Sequence, residues 1–178
     1  MQIGFGILLD DESYNYARKI ELELCNKFDL CWGLKQPPHV TIKAPFKTNN
    51  IKPFEDYLGS LAKKIKPFYI DLESFDYFSS NVIFLDVKEN KKLLNLHLNI
   101  INDLKEDFGI KPNAFEGKNR RFHSTVALED VTEEKFKKAK KYLQGKNPKF
   151  RFKIKTIGLF YYLGKSGGWV VTKKVDLK

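Results

Sequence analysis

The chain has 178 residues, 42% of them hydrophobic and 14% aromatic, with a formal net charge of +10. That length and apolar content suit a single globular domain (1–178) that buries a core without disulfides or metal, and they exclude a disordered or fibrous chain. The charge is uneven: residues 111–178 hold 18 Lys and Arg against 6 Asp and Glu, whereas residues 1–110 hold 14 against 16. A positive C-terminal third suits either a phosphate-bearing polymer or a solvated lysine-rich surface.

The elements follow from periodicity and stop signals. Ile3–Leu9 reads as a strand; its apolar run is too short for a membrane span and lacks the basic lead of a signal peptide. Asp11 opens a helix to Phe28 with a stripe of Tyr14, Ala17, Ile20, Leu24 and Phe28. Cys25 and Cys31 sit in or beside apolar stretches without C-x-x-C spacing, so they read as free thiols of a reducing, cytoplasmic-type compartment. A strand at His39 follows the loop holding Gly33, Pro37 and Pro38, and Pro45 is expected to break it. Pro53 starts a second helix to about Ile65, and Phe68–Phe75 and Val82–Val87 are strands joined across Ser79–Asn81. Asn90 opens a third helix to Phe108, ended by Gly109 and Pro112; His97 lies at the edge of its apolar face and reads as packing or surface. After a polar loop, Asn113–Arg121, comes a strand at His123, then a helix capped by Thr132 and closed by Gly145. Phe150–Tyr162 and Trp169–Leu177 are the last strands, joined by a hairpin turn at Gly164–Gly168.

Two of the three histidines carry a threonine two residues on: His39-Val40-Thr41-Ile42 and His123-Ser124-Thr125-Val126. Residues i and i+2 of a strand share a face, so each segment presents an imidazole beside a hydroxyl. With six threonines in the chain, chance alone would place two such pairs about 0.3 per cent of the time. The order strand, helix, histidine strand, helix, strand occurs twice, and His39 to Ser80 spans 41 residues against 42 from His123 to Lys165. A duplication with pseudo-repeats of about 1–80 and 81–178 is therefore expected, with His39 and His123 brought together across a shared cleft.

These residues resemble the 2H phosphoesterase superfamily, which contains the bacterial RNA 2′,3′-cyclic phosphodiesterases also called 2′-5′ RNA ligases. Its signature is a pair of His-x-Thr/Ser-x motifs in two pseudo-symmetric lobes. The first copy here, with Pro38 before it and Lys43-Ala44-Pro45-Phe46 after it, follows that pattern; in the second, Ser124 replaces the usual apolar residue, on the opposite strand face. Some members have an arginine shortly after the second motif, where this chain has Ala127-Leu128-Glu129. The resemblance implies an α+β fold of two mainly antiparallel sheets flanked by helices around a central cleft. It also implies a phosphodiesterase acting on 2′,3′-cyclic phosphates or 2′-5′ linkages of RNA or nucleotides, in either the hydrolytic or the ligating direction.

The residues themselves support such chemistry. Two imidazoles flanking one phosphorus can serve as general base and general acid near neutrality, and either histidine can take either role. Thr41 and Thr125 would donate to the non-bridging oxygens. The scheme needs no metal and no cofactor, and the motif strands offer no cysteine or carboxylate at ligand spacing. Strand alternation puts Lys43 and Arg121 on the same faces as the histidines, as candidates to hold a neighbouring phosphate. Phe46, Tyr161, Tyr162 and Trp169 are candidates to stack on a base, although core packing is the commoner use of each. The chain is expected to act as a monomer without a membrane or obligate protein partner, on an RNA end or a nucleotide. Two rival uses of the same cleft are a small-metabolite cyclic phosphate and RNA binding without turnover.

Overall fold

Helix starts are set by side chains that take up otherwise unpaired backbone donors. In the computed structural model, which describes residues 1–178, Asp10 accepts from the Ser13 N–H (3.0 Å) to open α1, Asp11–Phe28. Ile51 precedes α2, Lys52–Ala62, which has proline in its first turn and ends a turn earlier than the periodicity suggests. Asn90 accepts from Lys92 and Leu93 (3.0 and 3.1 Å) to open α3, Lys91–Phe108, and Gly109 closes it in the left-handed conformation. Thr132 accepts from Lys135 (3.3 Å) to open α4, Glu133–Leu143. None of these helices is long and apolar enough to cross a membrane.

Eight strands form two antiparallel sheets. They are β1 Gln2–Leu8, β2 His39–Lys47, β3 Tyr69–Phe78, β4 Val82–Val87, β5 His123–Ala127, β6 Lys149–Lys153, β7 Thr156–Tyr162 and β8 Trp169–Asp176. One sheet has the order β2-β1-β7-β8 and the other β5-β4-β3-β6, so each histidine strand is an edge strand beside the first strand of its own half. The third strand of the first half, β3, pairs with β4 of the second, and β7 returns to pair with β1. The helices also cross over: α1 packs behind β5 and α3 behind β2. One apolar core joins both sheets, with Ile3, Val40 and Leu159 from the first and Ile70, Leu85 and Val126 from the second.

Four features depart from the sequence reading. Pro45 does not end its strand; β2 runs on to Lys47, with Phe46 opposite Ile3, because an edge strand has one side on which no backbone N–H is needed. Phe150–Tyr162 is two strands, since the chain changes sheets between Lys153 and Thr156. Gly164–Gly167 forms one helical turn before β8. Gly168 follows it at φ 68°, pressed so close to Lys35 that a Cβ would meet the Lys35 carbonyl oxygen at 2.0 Å. Finally, Cys25 and Cys31 are bonded to each other, which removes the basis for reading them as thiols of a reducing compartment.

Candidate active site

The two histidine motifs converge where β2 and β5 lie against each other. Each imidazole is fixed in the same way. His39 Nδ1 donates to the Pro37 carbonyl oxygen at 2.7 Å, and His123 Nδ1 donates to the Arg121 carbonyl oxygen at 3.0 Å. A carbonyl only accepts, so each neutral ring holds its proton on Nδ1 and keeps a lone pair on Nε2. The Thr41 hydroxyl donates to His39 Nε2 at 3.2 Å.

Aromatic rings support both imidazoles from neighbouring strands. Phe160 of β7 lies 4.2 Å from His39, centre to centre, while Phe84 of β4 and Phe78 of β3 lie 4.8 and 4.9 Å from His123. The His39 ring rests over Gly6 of β1, which sits opposite Thr41 in the sheet; a Cβ there would meet His39 Cδ2 at 2.7 Å. Any side chain larger than hydrogen at Gly6 would push the imidazole out of place.

His39, Thr41 and Thr125 line one small pocket of about 170 Å³, together with Lys43, Phe160 and Trp169. The threonine of the second motif therefore joins the first motif's pair. His123 lines a larger cavity of about 720 Å³ with Phe78, Phe115, Asn119 and Arg120. Burial pushes the pKa of both histidines down to about 4. At His39 the Pro37 bond opposes this and the charge of His123 adds to it; at His123 the Arg121 carbonyl opposes and the Arg120 cation adds. Both rings are thus neutral at neutral pH, each with Nε2 able to take a proton. No group of three or more His, Cys, Asp or Glu side chains is arranged to hold a metal ion.

The candidate substrate-binding residues fare differently. Lys43 is buried, and its ammonium is committed to Glu116 at 2.7 Å. The register slips between the Gly6–Thr41 and Phe5–Lys43 pairs, yet Lys43 still lines the same pocket as His39 and Thr41. Arg121 lies outside the strand and is held by Asp86, at 3.0 and 2.9 Å, and by Asp76. Phe46 packs into the core against Phe5 and Phe54 at 6.0 and 5.0 Å. Tyr161 also packs on the core, whereas Tyr162 and Trp169 stack on each other at 4.8 Å, with Trp169 at the His39 pocket. His97 is core packing: it is fully buried, its Nδ1 donates to the Ile42 carbonyl oxygen (2.7 Å), and its Nε2 accepts from the Gly117 N–H (3.2 Å).

Sequence reasoning missed Gly6, Phe160, Phe78, Phe115 and Arg120. Only Phe115 gave a signal, as a lone aromatic in the polar loop before His123; it is 82% exposed at the cavity mouth. The others belong to strands or loops that only the fold brings to the histidines.

Comparison with known proteins agrees with this geometry. A phosphoesterase-named protein of Geobacillus thermodenitrificans is 32% identical over 90 residues, 47% of this chain and 52% of that protein. A similarly named protein of Geobacillus kaustophilus is 31% identical over 108 residues, 53% of this chain and 62% of its own. The match spans less than two thirds of either relative's length. Among solved structures, a Thermus thermophilus protein superposes with a TM-score of 0.65 at 15% identity, covering 99% of this chain and 98% of that one. Escherichia coli LigT, crystallised with 3′-AMP, superposes at 0.58 and 15% identity, covering 99% and 97%. At such identities the likeness is one of fold. A profile of the 2′-5′ RNA ligase superfamily matches residues 10–166, which contain both histidine motifs, and the chain belongs to that superfamily, the 2H phosphoesterases.

Proposed function

We propose that the chain is a metal-independent phosphodiesterase that opens 2′,3′-cyclic phosphates, or cleaves 2′-5′ linkages, at the end of RNA or on a nucleotide. The observation that carries this is the matched pair of imidazoles, each tied through Nδ1 to the backbone two residues back and each keeping Nε2 unprotonated. One Nε2 takes the proton of the attacking water as its oxygen bonds to phosphorus. The other histidine, protonated when the substrate's negative charge is present, gives its proton to the departing ribose oxygen as that P–O bond breaks. The same steps with a 5′-hydroxyl attacking in place of water open the cyclic phosphate to a 2′-5′ linkage, which is ligation, and their reversal cleaves that linkage. Thr41 and Thr125, together in the His39 pocket, donate to the non-bridging oxygens where charge builds. Thr41 leaves His39 Nε2 to do so.

The test is hydrolysis of an RNA oligonucleotide ending in a 2′,3′-cyclic phosphate, with excess chelator present. His39→Ala and His123→Ala should each lower turnover by at least about 100-fold, as expected for loss of a general acid or base. Full activity in either variant would refute the two-histidine scheme, and loss of wild-type activity on adding chelator would refute its independence of metal.

A further inference from the structure

The loop before β5 carries a cation at the cleft, Arg120, that the two-histidine scheme does not use and that no carboxylate holds. Glu116 pins this loop to β2: its side chain is wholly buried and accepts from Lys43 Nζ (2.7 Å), the Ala44 N–H (2.7 Å) and the Asn113 N–H (3.0 Å). The Gly117 N–H adds a bond to His97 Nε2. Lys43 and Glu116 thereby satisfy each other, and no hydrogen bond or ion pair joins Glu116 to Arg120.

Arg120 lies three residues on from Gly117. It reaches from the loop toward the opposite histidine strand, with Nη2 3.5 Å from the Thr41 carbonyl oxygen and Nη1 3.4 Å from the Phe115 carbonyl oxygen. Both contacts are at the outer limit of hydrogen bonding. Its Nε is buried without any partner. Arg121 next to it shows the contrast, since two carboxylates hold its guanidinium. A guanidinium has five N–H donors and keeps its charge, so leaving one desolvated and almost unpaired beside His123 is costly unless an anion completes it. The same desolvation holds the Arg120 pKa below its ordinary value, against the pull of Glu116.

We propose that Arg120 binds the phosphoryl group of the substrate between the two histidine strands, its planar fork neutralising the non-bridging oxygens as their charge grows. This rests on the phosphodiesterase reading above. It also gives the chain a cation at the phosphate from the loop before the second motif, where residues 127–129 after that motif supply none. The loop clamp formed by Lys43 and Glu116 fixes where that fork points.

The experiment is a titration of the whole chain with inorganic phosphate, read both by calorimetry and by the arginine Nε–Hε NMR signals. In the wild type the Arg120 signal should shift on phosphate addition. Arg120→Gln should weaken phosphate binding at least tenfold, Arg120→Lys should recover part of it, and Lys111→Ala, which removes an exposed charge from the same segment, should stay within twofold of wild type. On the cyclic-phosphate RNA, Arg120→Gln should lower kcat/KM about 100-fold or more. A packing role alone would lower the melting temperature and leave phosphate affinity intact. An unmoved Arg120 signal in the wild type, absence of phosphate binding by the wild type, or a folded Arg120→Gln that binds phosphate within twofold of wild type would each overturn the proposal. The wild-type NMR reading stands even if Arg120→Gln does not fold. If the wild type binds phosphate through Arg120 but turns over no phosphodiester, the phosphodiesterase reading fails while the anion site remains.

Discussion

The two histidines share a motif, a tautomer and a depressed pKa, yet their surroundings differ. His39 is enclosed: Thr41 bonds its Nε2, Phe160 covers its ring, Gly6 lies beneath it, and the pocket it lines is about 170 Å³. His123 opens onto about 720 Å³, bordered by the cation of Arg120 and the exposed ring of Phe115. Equivalent motifs therefore have unequal surroundings. In the proposed reaction the phosphoryl group would sit between the two sides, and only the His123 cavity would have room for the rest of a nucleotide.

Substitutions on each side should separate these roles, and their effects on turnover should fall in a definite order. The largest belongs to the enclosed side. Gly6→Ala puts a methyl against the His39 ring and should cost roughly 100-fold in kcat, the scale of a small misplacement of a catalytic group. Steady-state kinetics would show the loss in kcat with KM little changed; unaltered kcat would mean that the fit of His39 is not tight. The next belongs to the open side. Phe115→Ala removes a stacking surface worth about 1–3 kcal/mol per base, and should raise KM for a nucleotide while sparing kcat. An equal loss on a cyclic phosphate lacking a base would contradict the assignment of that cavity to the nucleoside.

The smallest effect on turnover lies behind the cleft. Glu21 of α1 is fully buried at the rear of the second motif, close to Gly33 and the Val126 carbonyl. Arg18 Nη1 lies 2.7 Å from Oε2, but Oε1 has no partner, so burial outweighs the cation and pushes the pKa up to about 8. A folded-state pKa above the ordinary 4.5 means that its contribution to stability is complete below pH 4.5 and is lost as pH rises through about 8. Glu21→Gln should leave turnover unchanged, make the chain more stable than wild type in alkaline urea denaturation, and converge with it toward pH 4.5. Identical pH dependence in the two chains would show that Glu21 is solvated. The histidines act with the opposite sign: their depressed pKa values contribute stability above their ordinary 6.5 that is lost as pH falls through about 4.

The sequence exposed the parts of this site that obey local rules. The His-x-Thr pairs follow from strand alternation, and the caps at Thr132 and Asn90 follow from side-chain chemistry at helix starts. What stayed hidden depended on long-range pairing. The β3–β4 hairpin is local, but nothing local says that β7 returns to β1 or that β6 joins β3, and with that exchange went Phe160, which holds His39 over Gly6 from a strand distant in sequence. Lys43 does line the His39 pocket and Arg121 the His123 cavity, but Glu116, Asp76 and Asp86, which engage these two charges, come from distant segments, so alternation could not show that both charges are already taken. Arg120 is silent in sequence because its meaning lies in what it lacks, a carboxylate partner, and only the fold shows which acids are already taken.

The most direct test of the central claim, that two imidazoles share one phosphate, is an NMR titration of the histidine ring signals with and without inorganic phosphate. Without phosphate, His39 and His123 should both carry their proton on Nδ1 and titrate near pH 4, well below His residues in unfolded chains. With phosphate bound, both should move upward together, because the anion favours the charged ring on each side, while Thr41→Val should disturb His39 alone. If only one histidine responds, or if neither does at a phosphate concentration that saturates binding, the two rings do not face a common phosphorus and the two-histidine site is wrong.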